Sequence, residues 1–215
     1  MKKILFFIIT FFIFMTKTNN ITYFTNFKTV ALTFDDGPSI YTKKIIDLLD
    51  KYNYNATFFL VGNKIEKFKE DVKYITINNE IGNHTYNHIW STKYKNTKVL
   101  EEIKKTNDII YDITKIKCKY FRPSYGAINK NLRSLIKEEI VMWSLDSRDW
   151  KYRNRNSISK IVLNNIKDGD IILMHELNES YESLKIILPE LKKQHYQVVT
   201  VSTLNEIRKI RERNA

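Results

Sequence analysis

Short, continuously apolar runs alternate with amphipathic helical patterns along nearly the whole chain, and this limits the fold more than any other feature. Residues 29–34 read as a buried strand and 40–51 as the helix after it. A second strand at 56–61 leads to a helix near 64–78, a short strand at 80–82 and the longest helical pattern, 97–115. Strand 119–122, helix 130–137, strand 139–144 and helix 157–167 follow. Strand 170–175, helix 181–194, strand 196–201 and helix 203–211 finish the chain. Strands apolar at every position are covered on both faces, so the pattern predicts an α/β protein with a parallel sheet under helices. About seven such units fit a distorted (β/α) barrel, with an open doubly wound sheet as the alternative. Neither a GxGxxG nor a P-loop follows the first strand, so nucleotide binding has no support.

The chain has 215 residues, 43% of them hydrophobic, which suits one core and one domain. The single cysteine, Cys118, excludes an intramolecular disulfide and a cysteine zinc cluster and reads as a buried thiol. The net charge of +12 is spread along the chain. Its densest run, residues 208–213, contains Glu212 and reads as the solvated face of a terminal helix, so no nucleic-acid partner is expected. Lys2 and Lys3 precede an apolar run at 4–15 and a polar stretch at 16–20, the pattern of an export signal. That run is shorter than the ~20 residues of a comfortable membrane span. Residues 1–22 are therefore expected to be a signal peptide or an N-terminal membrane anchor, and 23–215 a catalytic domain. The protein is expected to be secreted or held on the outer face of the cytoplasmic membrane, as a monomer.

The conspicuous polar residues sit at strand ends. Asp35 and Asp36 follow the first strand, His84 and His88 the third, and Arg122 ends the fourth. Asp146 and Asp149 follow the strand ending at Ser144, and His175 ends the strand at 170–175. A βα-barrel gathers these ends on one face, which carries the active site. His84 and His88, four apart, can meet one ion on a helical turn, and two imidazoles with one carboxylate leave positions open for water and substrate. Of the pair Asp35–Asp36, one can bind metal while the other takes a proton. Arg122 can hold a catalytic carboxylate in place, and the loop after it, residues 123–126, has N–H groups free for an oxyanion. A histidine beside a carboxylate can be held protonated as an acid, and Trp150 offers a face for a sugar ring. Each motif alone has an ordinary structural explanation: a turn, a packed histidine, a core tryptophan.

Together they resemble the polysaccharide deacetylases of the NodB homology domain, carbohydrate esterase family 4. Five motifs stand in that family's order: Thr33-Phe34-Asp35-Asp36-Gly37-Pro38, His84-Thr85-Tyr86-Asn87-His88, Arg122-Pro123-Ser124-Tyr125-Gly126, Asp146-Ser147-Arg148-Asp149-Trp150 and Leu173-Met174-His175. The resemblance implies a distorted (β/α) barrel. It implies a divalent ion, usually zinc and sometimes cobalt or nickel, on Asp36, His84 and His88. Asp35 would be the general base, oriented by Arg122. The Tyr125 N–H would stabilise the oxyanion, His175 tuned by Asp149 would protonate the leaving amine, and Tyr125 and Trp150 would meet the sugar. Ser124 stands where a second proline is common and is expected to loosen its loop slightly. The implied activity is hydrolysis of N-acetyl groups on an amino-sugar polymer, with peptidoglycan N-acetylglucosamine first and chitin oligosaccharides or O-acetylated xylan as alternatives. A non-haem iron oxygenase and a wall-polymer-binding protein are the remaining rivals.

Overall fold

The computed structural model describes residues 26–214, so the expected leader at 1–22 lies outside the described residues. Eight parallel strands form one sheet: β1 (Lys28–Gly37), β2 (Thr57–Leu60), β3 (Glu80–Asn83), β4 (Tyr120–Phe121), β5 (Glu139–Ile140), β6 (Leu145–Asp146), β7 (Ile171–His175) and β8 (Tyr196–Val199). The main helices between and after them are α1 (Thr42–Asp50), α2 (Lys69–Asn78), α3 (Asn96–Thr114), α4 (Lys130–Leu135), α5 (Arg155–Asn165), α6 (Asn178–Lys193) and α7 (Val201–Asn214). The spatial order is β5-β4-β3-β2-β1-β7-β6. Ala31 of β1 pairs with both Ile171 and Val199, so β8 lies opposite β7, alongside the first half of β1.

The long central strand explains the unbroken apolar run. Side chains alternate across the sheet, and both faces of β1 are covered. Val30, Leu32 and Phe34 pack into the large cluster with Ile45, Leu49, Phe58 and Leu184, under the helices. Ala31 belongs to the other cluster, with Phe59, Tyr120, Val141 and Val199. Thr33 and Asp35 continue along that inner face, so the row begins apolar and ends in a carboxylate at the mouth of the barrel.

One expectation needs correction. Segment 139–144 is not one strand. Glu139–Ile140 pairs with β4 at one end of the strand order, and Leu145–Asp146 pairs with β7 at the other. The residues between them cross the gap, with Val141 N donating to Phe121 O and Ser144 N to Ile171 O, both at 2.9 Å. An apolar run cannot ladder with two separated strands at once, so it divides, and the division closes the distorted barrel. The helix expected at 64–78 is also broken, into Gly62–Ile65, a 3₁₀ turn at Glu66–Phe68 and α2. No helix among the described residues is long and apolar enough to cross a membrane.

Candidate active site

Strand register brings the first two groups together. Asp35 of β1 is the register partner of His175 on β7, and both lie at the C-terminal ends of their strands. Asp36, next in the chain, takes a left-handed backbone (φ 68°), which turns its side chain away from its neighbour's direction. His84 follows β3 directly. His88 and Thr85 are also left-handed (φ 53° and 66°), as are Tyr125 (φ 60°) and Arg148 (φ 55°). Non-glycine residues rarely adopt this region, and such conformations persist where the surroundings over-determine them.

Asp36, His84 and His88 each offer one ligand atom, and the three atoms lie within 4.8 Å of one another. Asp36 Oδ1 is 3.0 Å from His88 Nε2 and 3.5 Å from His84 Nε2. Ligands on a tetrahedral zinc with bonds of ~2.0–2.1 Å are roughly 3.3 Å apart, so the spacing fits. The donor set fits too. Asp36 Oδ1 is buried, and despite these close approaches it has no hydrogen bond of acceptable geometry. His84 Nδ1 lies 2.7 Å from the Arg122 carbonyl, which can only accept, so Nδ1 carries the proton and Nε2 keeps its lone pair for a cation. Burial lowers the His84 pKa although Asp35 and Asp36 oppose it, which favours the neutral, ligating imidazole. Burial works against the Asp36 carboxylate, but His88 and His84 outweigh it and hold that group well below the usual carboxylate range.

Arg122 is fully buried, its guanidinium 4.1 Å from the Phe59 ring centroid. Nη1 donates to Asp35 Oδ1 and to Thr33 Oγ1, both at 2.7 Å, and Nε to the Val141 carbonyl at 3.1 Å. Asp35 Oδ1 is thus fixed, while Oδ2 lies 3.6 Å from His84 Nε2. Thr33 and the crossing segment are partners of Arg122 that the motifs do not show. Ser124 does not loosen its loop. It is fully buried, donates to the His84 carbonyl and lies 3.1 Å from Thr85 Oγ1, tying the arginine loop to the histidine loop.

On the far side of the mouth, Asp149 is fully buried and accepts four hydrogen bonds. His175 Nδ1 (2.7 Å) and Trp150 N (2.8 Å) reach Oδ1, and His175 N (2.7 Å) and Ser180 Oγ (2.5 Å) reach Oδ2. Burial disfavours a charged His175, but Asp149, with Asp35 and Asp36 behind it, prevails and pushes its pKa up to about 9. The cavity between these groups measures about 400 Å³ and is lined by Asp35, Asp36, His88, Tyr125, Trp150 and His175 among others. Trp143, on the crossing segment, also lines it. A tryptophan ending an apolar run reads as core, so the sequence carries no distinct signal for it.

Glu176 is the group that sequence reasoning passes over. Its carboxylate accepts from Thr42 Oγ1 (2.5 Å) and Ser39 Oγ (2.8 Å), and Oε1 is buried without a partner. A Cβ on Gly37 would meet that Oε1 at 1.9 Å, so a larger residue beside Asp36 would displace the Glu176 carboxylate from its hydroxyl partners. Burial raises the Glu176 pKa from 4.5 to about 7, with the Thr42 and Ser39 hydroxyls and Lys64 opposing. A carboxyl whose pKa rises on folding binds more protons in the native state, so it costs stability as pH climbs from 4.5 to 7. Glu176→Gln is therefore expected to stabilise the protein at pH 8 by up to about 3 kcal/mol, and hardly at pH 5. Denaturant titrations of both proteins at the two pH values check this; an equal difference at both would refute it.

A family model described as polysaccharide deacetylase matches residues 23–139. The chain is 40% identical over 190 residues to the peptidoglycan-N-acetylmuramic acid deacetylase PdaC of Bacillus subtilis, a match that covers 87% of this chain and 41% of that protein. It is 38% identical over 180 residues to the peptidoglycan-N-acetylglucosamine deacetylase PgdA of Listeria monocytogenes, covering 82% of this chain and 39% of that one. The chain thus spans about two fifths of the length of these curated relatives. The solved structure of Bacillus subtilis PdaC superposes with a TM-score of 0.85 at 40% identity, covering 87% of this chain and 95% of that one. A carbohydrate esterase family 4 pseudoenzyme from Bacillus anthracis, BA3943, superposes with a TM-score of 0.77 at 29% identity, covering 84% and 66%.

Proposed function

The chain belongs to the polysaccharide deacetylase family, and from that premise we propose that it is a metal-dependent hydrolase that removes N-acetyl groups from peptidoglycan, acting first on N-acetylglucosamine. The observation that carries this reading is the pairing of Asp35 and His175 across adjacent strands, a carboxylate and an imidazole lining one cavity with the Asp36–His84–His88 cluster.

Asp36, His84 and His88 would hold the ion. Their two nitrogens and one oxygen suit zinc, with cobalt or nickel as substitutes. When bound, such an ion supplies a Lewis acid for the acetyl carbonyl and lowers the pKa of water from ~15.7 towards ~7. Asp35, with Oδ1 fastened by Arg122, turns Oδ2 to the site and accepts the proton of the attacking water. Tyr125, left-handed and lining the cavity, would offer its N–H to the negative charge that develops on the acetyl oxygen. His175 gives its proton to the departing nitrogen, and Asp149 sets the tautomer and stabilises the imidazolium. Trp150, half exposed at the rim, offers its ring to the sugar.

The leader pattern at 1–22 supports export, with the protein secreted or held on the outer face of the cytoplasmic membrane, and the +12 charge would suit an anionic wall polymer. Acetate release from peptidoglycan, chitin oligomers and O-acetylated xylan tests the proposal, with and without chelator, for wild type and His84→Ala. Peptidoglycan turnover is expected to lead, and chelation or His84→Ala to reduce it at least 10³-fold. Undiminished activity after chelation would remove the metal from the mechanism. Equal or faster release from chitin oligomers would move the substrate.

A further inference from the structure

Trp90 belongs to none of the five motifs, yet it stands at the outer end of a column of rings that runs to the metal-ligand cluster. Its ring stacks on Tyr125 with centroids 4.8 Å apart and planes inclined by 19°. Tyr125 in turn lies 4.5 Å from the His88 ring, and His88 5.0 Å from the His84 ring. The Lys93 ammonium covers Trp90 from outside, 4.6 Å from its ring centroid. Lys93 is placed there by the 3₁₀ turn Ser91–Lys93, whose Lys93 N donates to the Trp90 carbonyl.

The two histidines are oriented by different means. His84 has its second ring nitrogen pinned by the Arg122 carbonyl. Among the described residues, no hydrogen bond reaches Nδ1 of His88; its Nε2 lies 3.0 Å from Asp36 Oδ1, and the Tyr125 and His84 rings stand inclined to its own by 58° and 50°. Metal-ligating histidines ordinarily gain their orientation from a partner on the other nitrogen. The backbones at both inner stations are also strained, since His88 and Tyr125 are left-handed without being glycine. Such conformations last only where packing holds them. Tyr125 is 57% exposed and Trp90 41%, so neither is held by a surrounding core. Turn hydrogen bonds hold the Tyr125 backbone, Gly126 N to the Pro123 carbonyl and Ala127 N to the Ser124 carbonyl, and the stack on Trp90 is what meets its exposed ring.

We infer that Trp90 is a positioning residue: through Tyr125 it holds the His88 imidazole towards Asp36 and the Tyr125 N–H towards the cavity. The inference rests on the metal reading given above and goes beyond it, because it assigns metal affinity in part to a residue that touches no ligand atom. A ring at position 90 is what the column needs; apolar bulk alone does not stack.

The test is zinc affinity, measured by competition with a chromogenic chelator on metal-stripped protein at fixed pH, for Trp90→Phe, Trp90→Leu and Trp90→Ala. Trp90→Leu and Trp90→Ala are expected to bind zinc about tenfold more weakly than wild type, the size of loss usual when a ligand's orienting partner is removed. Trp90→Phe is expected to stay within about threefold, since offset aromatic stacking survives. Phe and Leu both fill the site with apolar bulk, so a general loss of loop structure would strike them alike. Equal weakening of Trp90→Phe and Trp90→Leu, or wild-type affinity in Trp90→Leu, overturns the inference. His88→Ala runs in parallel. If it binds zinc as tightly as wild type, the metal reading fails and takes this inference with it. If His88→Ala loses zinc and Trp90→Leu does not, only the positioning role is lost.

Discussion

Asp35→Asn is expected to lower kcat about 10³-fold, within the range an acid–base group contributes, while zinc affinity changes less than tenfold. The amide has the shape of the carboxylate but cannot accept the proton of water, and Asp35 is not one of the three converging ligand atoms. The same substitution should also cost stability. Arg122 is fully buried, its Nη2 already lacks a partner, and Asp35 is its ion-pair partner. Removing one member of a buried pair typically costs ~3–5 kcal/mol. For a domain of this size that is a fall in Tm of roughly 10 °C. The two effects separate in the double variant Asp35→Asn with Arg122→Met, which removes the stranded cation. Its Tm should recover part of the loss and its kcat none of it. A kcat within tenfold of wild type in Asp35→Asn, measured well below its Tm, would strip Asp35 of the role of base.

How far the sequence reaches depends on what kind of contact fixes each residue. Asp35, Arg122 and His175 are legible because a parallel sheet sends its strand ends to one face, so position at the end of an apolar run already implies proximity. The metal cluster is legible because His84 and His88 sit in one short loop. The crossing segment 141–144 is not, since an apolar run long enough for one strand serves equally as two short ones, and only the closure of the sheet decides. Glu176 is hidden for a different reason. A glutamate just before a helix reads as a solvated acid, and its burial against Gly37, Ser39 and Thr42 is a contact across about 137 residues. Ser124 looks like a weakened proline from sequence, because the partners that make it a tie, Thr85 and the His84 carbonyl, belong to another loop. The left-handed backbones at Asp36, His88 and Tyr125 are marked by no glycine, and the mild preference of Asp and His for that region does not single out these two positions.

Asp149→Asn is expected to reduce activity at pH 8 by 10²-fold or more and to move the alkaline limb of the pH–rate profile to lower pH. With its pKa near 9, His175 is about 90% protonated at pH 8. Returned to the ordinary value of 6.5, with burial lowering it and Asp35 and Asp36 still opposing, it would be only about 3% protonated at pH 8. Population alone thus removes up to about 30-fold, and the poorer orientation of the ring removes more. A divalent ion on Asp36 would offset the carboxylates that help raise this pKa, so the limb of the loaded wild type falls below 9. Lowering the pH to 6 should bring the variant back towards wild type, because there the imidazole regains its proton without help. The linkage has a matching sign. A histidine whose pKa is raised on folding contributes its full stability below 6.5 and loses it as pH rises through about 9. Wild type should therefore weaken between pH 7 and 9 relative to Asp149→Asn. Against that slope stands a pH-independent loss in the variant, because one amide oxygen cannot replace two carboxylate oxygens that accept from four donors, at ~1–3 kcal/mol for each buried group left unsatisfied. A flat ratio of wild-type to variant rates from pH 6 to 9 would show that the charge of Asp149 does not act through the proton on His175.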